Sequence, residues 1–293
     1  MNSKKNLIRI ICITCIILLL LIIIMLYSNV ITQTNNIGLI GHTQHFKRYM
    51  DNISNKLYVT KINIKHLSKK LFVSTYLSLL KNIPHNKKPY LDIYTKAMRQ
   101  AFLNNNLSNI ANTTTNYIMS DKNMEMNMPY TLDNYIVFNH TQIQRLTKHI
   151  DRNILETLIH EKLHIIQRLH QQAFNTFYKS YYPFLYTSIP IEDLPQTLKD
   201  KHMTNPDNNF DLWLYKINNR IYIPILEKTN KGLQEYAYEY KHLHNRVLLH
   251  NILKYSSTSQ SHPNELFAHE VAEQIMNTRL HKPIYNFLKT LKC

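Results

Sequence analysis

The chain has 293 residues, with 35 Lys and Arg against 19 Asp and Glu, for a formal net charge of +16 at pH 7 with the histidines neutral. That length suffices for one sizeable domain with its own core. Three glycines are too few for a phosphate-cradling loop or a dinucleotide fingerprint, and three cysteines at positions 12, 15 and 293 leave no internal disulfide or cysteine zinc site beyond the first segment.

The positive charge is dispersed among abundant Asn, Ile and Tyr. That pattern fits AT-rich coding and argues against nucleic acid as a partner. A basic surface near phospholipid headgroups stays open.

Residues 1–9 carry Lys4, Lys5 and Arg9, and from Ile10 to Tyr27 only Thr14 interrupts an apolar run. A run of that length without a cleavage pattern predicts a single transmembrane signal anchor over 10–27. The flanking charges predict a cytosolic N-terminus, with everything after residue 28 on the non-cytosolic side of a cellular or viral membrane. Residues 28–55 are polar and Asn-rich, which predicts a stalk before a domain over 56–293. Four N-x-Ser/Thr sequons, at Asn52, Asn106, Asn112 and Asn139, support a glycosylated domain only weakly in so Asn-rich a chain.

Within the domain, KLYVTKINIK (56–65) alternates as a strand does. LFVSTYLSLL and PYLDIYTKAMRQAFL read as helices, the second opened by Pro89. Residues 104–116 read as a polar loop, and YTLDNYIVFN (130–139) as a short β-rich run. The segments YYPFLYTSIPIEDLP and MTNPDNNFDLW read as irregular. NRIYIPIL predicts an edge strand, because Pro224 cannot donate to a ladder. Two late helices are expected near 233–255 and 263–280. The class is α+β, mostly helical.

ETLIHEKLHIIQRLHQQ (156–172) carries the chemistry. Leu155, Leu158, Ile159, Leu163, Ile166 and Leu169 recur at helical spacing. On that helix His160 and His164, four apart, project together, with Glu161 beside them. This is the HExxH pattern, in which two neutral imidazoles share one zinc ion and the glutamate acts as general base. His170 has the spacing of a third histidine ligand in the metzincin signature. For it to reach the same ion the chain must turn at residue 167, where Gln167 replaces the glycine that makes such a turn.

A second candidate lies in SHPNELFAHEVAEQIM (261–276). Pro263 suits a first helical turn, and Glu265, Ala268, His269 and Ala272 share one face. Here the sequence resembles the gluzincins, HExxH peptidases whose third ligand is a glutamate on a second helix, often within ExxA. Glu265-Leu266-Phe267-Ala268 matches that pattern. The resemblance implies a zincin-like domain with zinc as cofactor, His160, His164 and Glu265 as metal ligands, and Glu161 as catalytic base. Its substrate would be a peptide or protein. His269 stands where the family commonly has an Asp or Asn supporting a ligating histidine, and Glu270 and Glu273 are fallback ligands. A short, anchored peptidase-like chain also resembles proteins encoded by large DNA viruses.

The resulting expectation is a membrane-anchored zinc metallopeptidase. Residues 134–139 would be the edge strand that holds an extended substrate. A second oxyanion donor would come from among Tyr236, Tyr238, Tyr240, His242 and His244. Two alternatives remain: a catalytically silent zincin-fold envelope or membrane protein, and a basic lipid- or nucleic-acid-binding module.

Overall fold

A computed structural model describes residues 18–19, 37–65, 67–121, 124–208, 211–253 and 262–292. The chain divides into two compact units, Met1–His42 and Thr43–Cys293. In the first, residues 37–42 are helical. Among the described residues no helix is long and apolar enough to cross a membrane, which corrects the transmembrane expectation. A span must be one unbroken apolar helix of about 20 residues, and none of the described helices is that. Apart from Leu18 and Leu19, the predicted segment 10–27 lies outside the described residues.

The second unit is α+β. It opens with α1 (Gln44–Asn52), α2 (Tyr58–Ile62), α3 (Lys69–Ser78) and β1 (Leu80–Lys81). Next come α4 (Lys88–Asn104), α5 (Ser108–Asn112), β2 (Asn116–Ser120), β3 (Tyr130–Leu132), β4 (Tyr135–Asn139) and α6 (His140–Arg145). The HExxH sequence lies on α7 (Arg152–Leu169), followed by α8 (Gln171–Tyr181), β5 (Leu185–Pro190) and α9 (Gln196–Lys199). The chain then forms β6 (Asp211–Ile217), β7 (Arg220–Thr229), β8 (Gly232–Glu239), β9 (His242–Leu248), α10 (Leu249–Ile252), α11 (Pro263–Met276) and α12 (Lys282–Thr290).

One sheet has the order β1-β2-β4-β3, with β2 and β4 parallel, and the other is the antiparallel meander β5-β6-β7-β8-β9. Helix α7 packs against α11, α4 and the β3–β4 hairpin. The core around it joins Leu158, Ile159, Leu163 and Ile166 to Phe138, Phe267, Ala268 and Ala272. Small Ala268 and Ala272 let α11 approach closely, as their shared face suggested.

Several elements differ from expectation for local reasons. Helix α1 buries Phe46, Tyr49 and Met50, so residues 44–52 are packed structure and not stalk. Residues 58–62 are helical, because Tyr58 and Ile62, four apart, are buried together. Of the helix predicted over 233–255, residues 233–239 and 242–248 are instead β8 and β9, residues 249–252 form the short α10, and residues 254–255 lie outside the described residues. Asn218 and Asn219 take φ of 49° and 61°, the left-handed pair of a tight hairpin between β6 and β7. Strand β7 is central, not an edge. Pro224 is tolerated there because the β6 ladder stops at Tyr222. The Leu226 N–H, of the same parity, points away from β8 to His202 Nδ1 at 3.3 Å. Asn139 is buried and caps α6 through Gln142 N–H at 2.8 Å, which removes it as a glycan acceptor.

Burial, reinforced by His262 and Lys61, lowers the pKa of His202 to about 3. The unfolded chain would titrate it near ~6.5. Its contribution is therefore fully present above pH ~6.5 and is lost as pH falls towards 3, by up to ~1.4 kcal/mol per pH unit. Urea unfolding of wild type and His202→Gln at pH 8, 6 and 5 checks this. The advantage of wild type should shrink as pH falls, whereas a constant offset would contradict the assignment.

Candidate metal centre

Asp151 caps α7, accepting from the Asn153 N–H at 2.9 Å. His262 caps α11: its Nδ1 accepts from Asn264 N–H at 3.2 Å, and its Nε2 lies 2.9 Å from the Asp211 carbonyl. Pro263 occupies the first turn of α11, as predicted.

With these ends fixed, His160, His164 and Glu265 converge. His160 Nε2 lies 2.9 Å from His164 Nε2, and the two atoms lie 3.2 and 3.5 Å from Glu265 Oε2. Tetrahedral zinc with bonds of about 2.0–2.1 Å spaces its donors about 3.3 Å apart. The donor types and their spacing therefore fit one such ion.

Glu161 is 3% exposed, and its Oε2 is buried without a hydrogen-bond partner. An orphaned carboxylate oxygen in a folded interior calls for an explanation. Here it borders the same cleft of about 670 Å³ that His160 and Glu265 line.

The electrostatics also favour a cation. Burial opposes charge on His164, but Glu265, Asp207 and Glu161 outweigh it and raise the pKa to about 10. Burial likewise opposes charge on Glu265, yet His164 and His160 hold it well below the usual carboxylate range. Burial first, and Asp207 second, push Glu161 well upward.

The supporting residues were mostly invisible in the sequence. Gln167, where a metzincin turn would need glycine, is fully buried and accepts from His164 Nδ1–H at 2.7 Å. That bond turns the Nε2 lone pair towards the other two donors. The same amide donates to Tyr178 Oη and to the Asn264 carbonyl, both at 2.9 Å. Its position three residues beyond a candidate ligand on one helix was the available signal. Asn205 donates to Glu265 Oε1 at 2.6 Å. Asp207 accepts from the N–H and the hydroxyl of Thr131, each at 2.6 Å, and Arg168 donates to Thr131 Oγ1 at 2.8 Å. Asn205 and Asp207 meet partners 60 and 76 residues away, so no local pattern marks them.

Among the other expected participants His269 lines the same cleft, and the rest fall elsewhere. His170 ends α7 and is not among the convergent donors. His269 packs nearly perpendicular to His160, at 5.5 Å between ring centroids. Glu270 accepts from Tyr181 at 2.7 Å. Tyr236, Tyr238, Tyr240, His242 and His244 do not line the cleft. Residues 135–139 are an interior strand; β3 is the edge, and Asp207 already occupies its Thr131 N–H.

Comparison with known proteins finds no family model, no curated protein and no solved structure that matches this chain. The functional reading therefore rests on the geometry.

Two substitutions test the donor set. Gln167→Ala should weaken zinc affinity by about 10- to 100-fold in a chelator competition, the usual cost of losing a partner behind a ligand. His170→Ala should leave the affinity unchanged. A loss with His170→Ala larger than with Gln167→Ala would contradict the arrangement.

Proposed function

We propose that the protein is a zinc-dependent metallopeptidase, with His160, His164 and Glu265 holding the metal and Glu161 as general base. The observation that carries this reading is the unpartnered, buried Glu161 Oε2 beside three donors at ligand spacing, with Glu161, His160 and Glu265 bordering one open cleft and His164 buried behind them. A zinc ion held there would polarise the scissile carbonyl and lower the pKa of the attacking water.

The side chains do the rest. Glu161 Oε2 accepts the water's proton and returns it to the leaving amine, a role suited to a carboxylate whose proton affinity burial has raised. Gln167 keeps His164 in the tautomer that leaves Nε2 free for the metal, and Asn205 fixes the Glu265 carboxylate. A purely structural zinc site would be closed by a fourth protein ligand and would not need Glu161. The cleft favours the catalytic reading over a silent one.

Glu161→Gln tests the proposal. The amide is nearly isosteric and removes no ligand, so zinc content should equal that of wild type. Cleavage of a diverse peptide library, read by mass spectrometry, should fall by about two to four orders of magnitude. Equal cleavage by both proteins would refute the role of Glu161. Failure of zinc-loaded wild type to cleave anything would favour the silent zincin-fold alternative.

A further inference from the structure

The cleft beside the candidate centre has a charge pattern that runs against the rest of the chain. Lys and Arg outnumber Asp and Glu by 35 to 19. Among the described residues, however, the cleft is lined by only one of these cations, Lys61. Its ammonium is committed, donating to Glu125 Oε2 and to the Thr204 carbonyl at 2.6 Å each.

Glu156 also lines this cleft and is half-buried. It lies one turn before His160 on α7, about 6 Å along the axis. Unlike Glu125, Asp207 and Glu265, it makes no hydrogen bond or ion pair among the described residues. A partly desolvated carboxylate without a partner is an unmet acceptor, and a cation meets that need best.

The same cleft is lined by Met126, Met128 and Pro129. They belong to an unusual turn in which Glu125, Met126 and Asn127 take φ of 45°, 56° and 63°. Three successive left-handed residues, none of them glycine, are strained, and such strain persists only where the surroundings impose it. Glu125 is clamped by Lys61, by Tyr49 at 2.5 Å and by Tyr76 at 2.9 Å, while Asn139 donates to the Asn127 carbonyl at 2.6 Å. The cost of the turn secures an adaptable apolar lining in the same cleft that holds the free carboxylate. A long side chain with an alkyl stem and a cationic tip matches both features.

We propose that Glu156 determines specificity, receiving a lysine or arginine side chain of a bound peptide whose alkyl stem lies against Met126, Met128 and Pro129. The proposal rests on the peptidase reading for its substrate class, but its test does not require turnover.

Full-length, zinc-loaded Glu161→Gln protein is used to select from a random peptide library. Selected peptides are remade with norleucine, which keeps the stem and lacks the charge, in place of the basic residue. Lys or Arg should be enriched at one position, and the norleucine versions should bind about fivefold more weakly, as for a well-formed, partly exposed ion pair. Adding Glu156→Gln should erase that difference at unchanged zinc content, and Glu156→Lys should turn the preference towards Asp and Glu. Selection without a basic preference, or a preference that survives Glu156→Gln, would overturn the proposal. So would failure to select any peptide. If wild type hydrolyses nothing while Glu156-dependent binding persists, the peptidase reading fails and this one stands.

Discussion

The side-chain amide of Gln167 is the contact on which the candidate centre depends. On one side it accepts from His164 Nδ1–H, and on the other it donates to the carbonyl of Asn264, the residue before Glu265. One buried group thus sets the tautomer of a candidate ligand on α7 and the distance to the helix that carries another. Leaving such buried partners unsatisfied costs about 1–3 kcal/mol each. His262 and Pro263 fix where α11 begins, and Ala268 and Ala272 let it pack against α7.

Around that contact the fold concentrates carboxylates in a basic chain. Glu265, Glu161 and Asp207 surround His164 and raise its proton affinity despite complete burial. In the chain alone a proton answers this field; a divalent cation would answer it better and would displace that proton. Asp207 has a second task. By taking the Thr131 N–H it closes part of the β3 edge, a natural place for an extended peptide to pair. A peptide bound as proposed would therefore use the cleft bordered by α7, α11 and the Glu125–Asn127 turn more than ladder pairing along β3.

What the sequence disclosed was local. His160, Glu161 and His164 share a helix, so 3.6-residue periodicity places them together. Glu265 was legible because Pro263 marks its helix start and two alanines mark its packing face. The missing glycine at residue 167 argued against His170 and, in the structure, the glutamine found there supports His164 instead. What escaped was non-local. Asn205 and Asp207 sit in a Pro- and Asn-punctuated stretch whose partners lie across the fold. β8 and β9 escaped because alternating Tyr and His residues carry little apolar contrast. Pro224 misled because its missing N–H matters only where a ladder continues, and beside it the β6 ladder has stopped.

The central claim concerns the identity of three donors, and X-ray absorption at the zinc edge of the full-length, zinc-loaded protein addresses it most directly. The account predicts a first shell of two imidazole nitrogens with oxygen donors, at about 2.0–2.2 Å. A third imidazole would contradict the assignment of Glu265 as the third ligand. Failure of the folded protein to take up zinc would contradict the centre altogether.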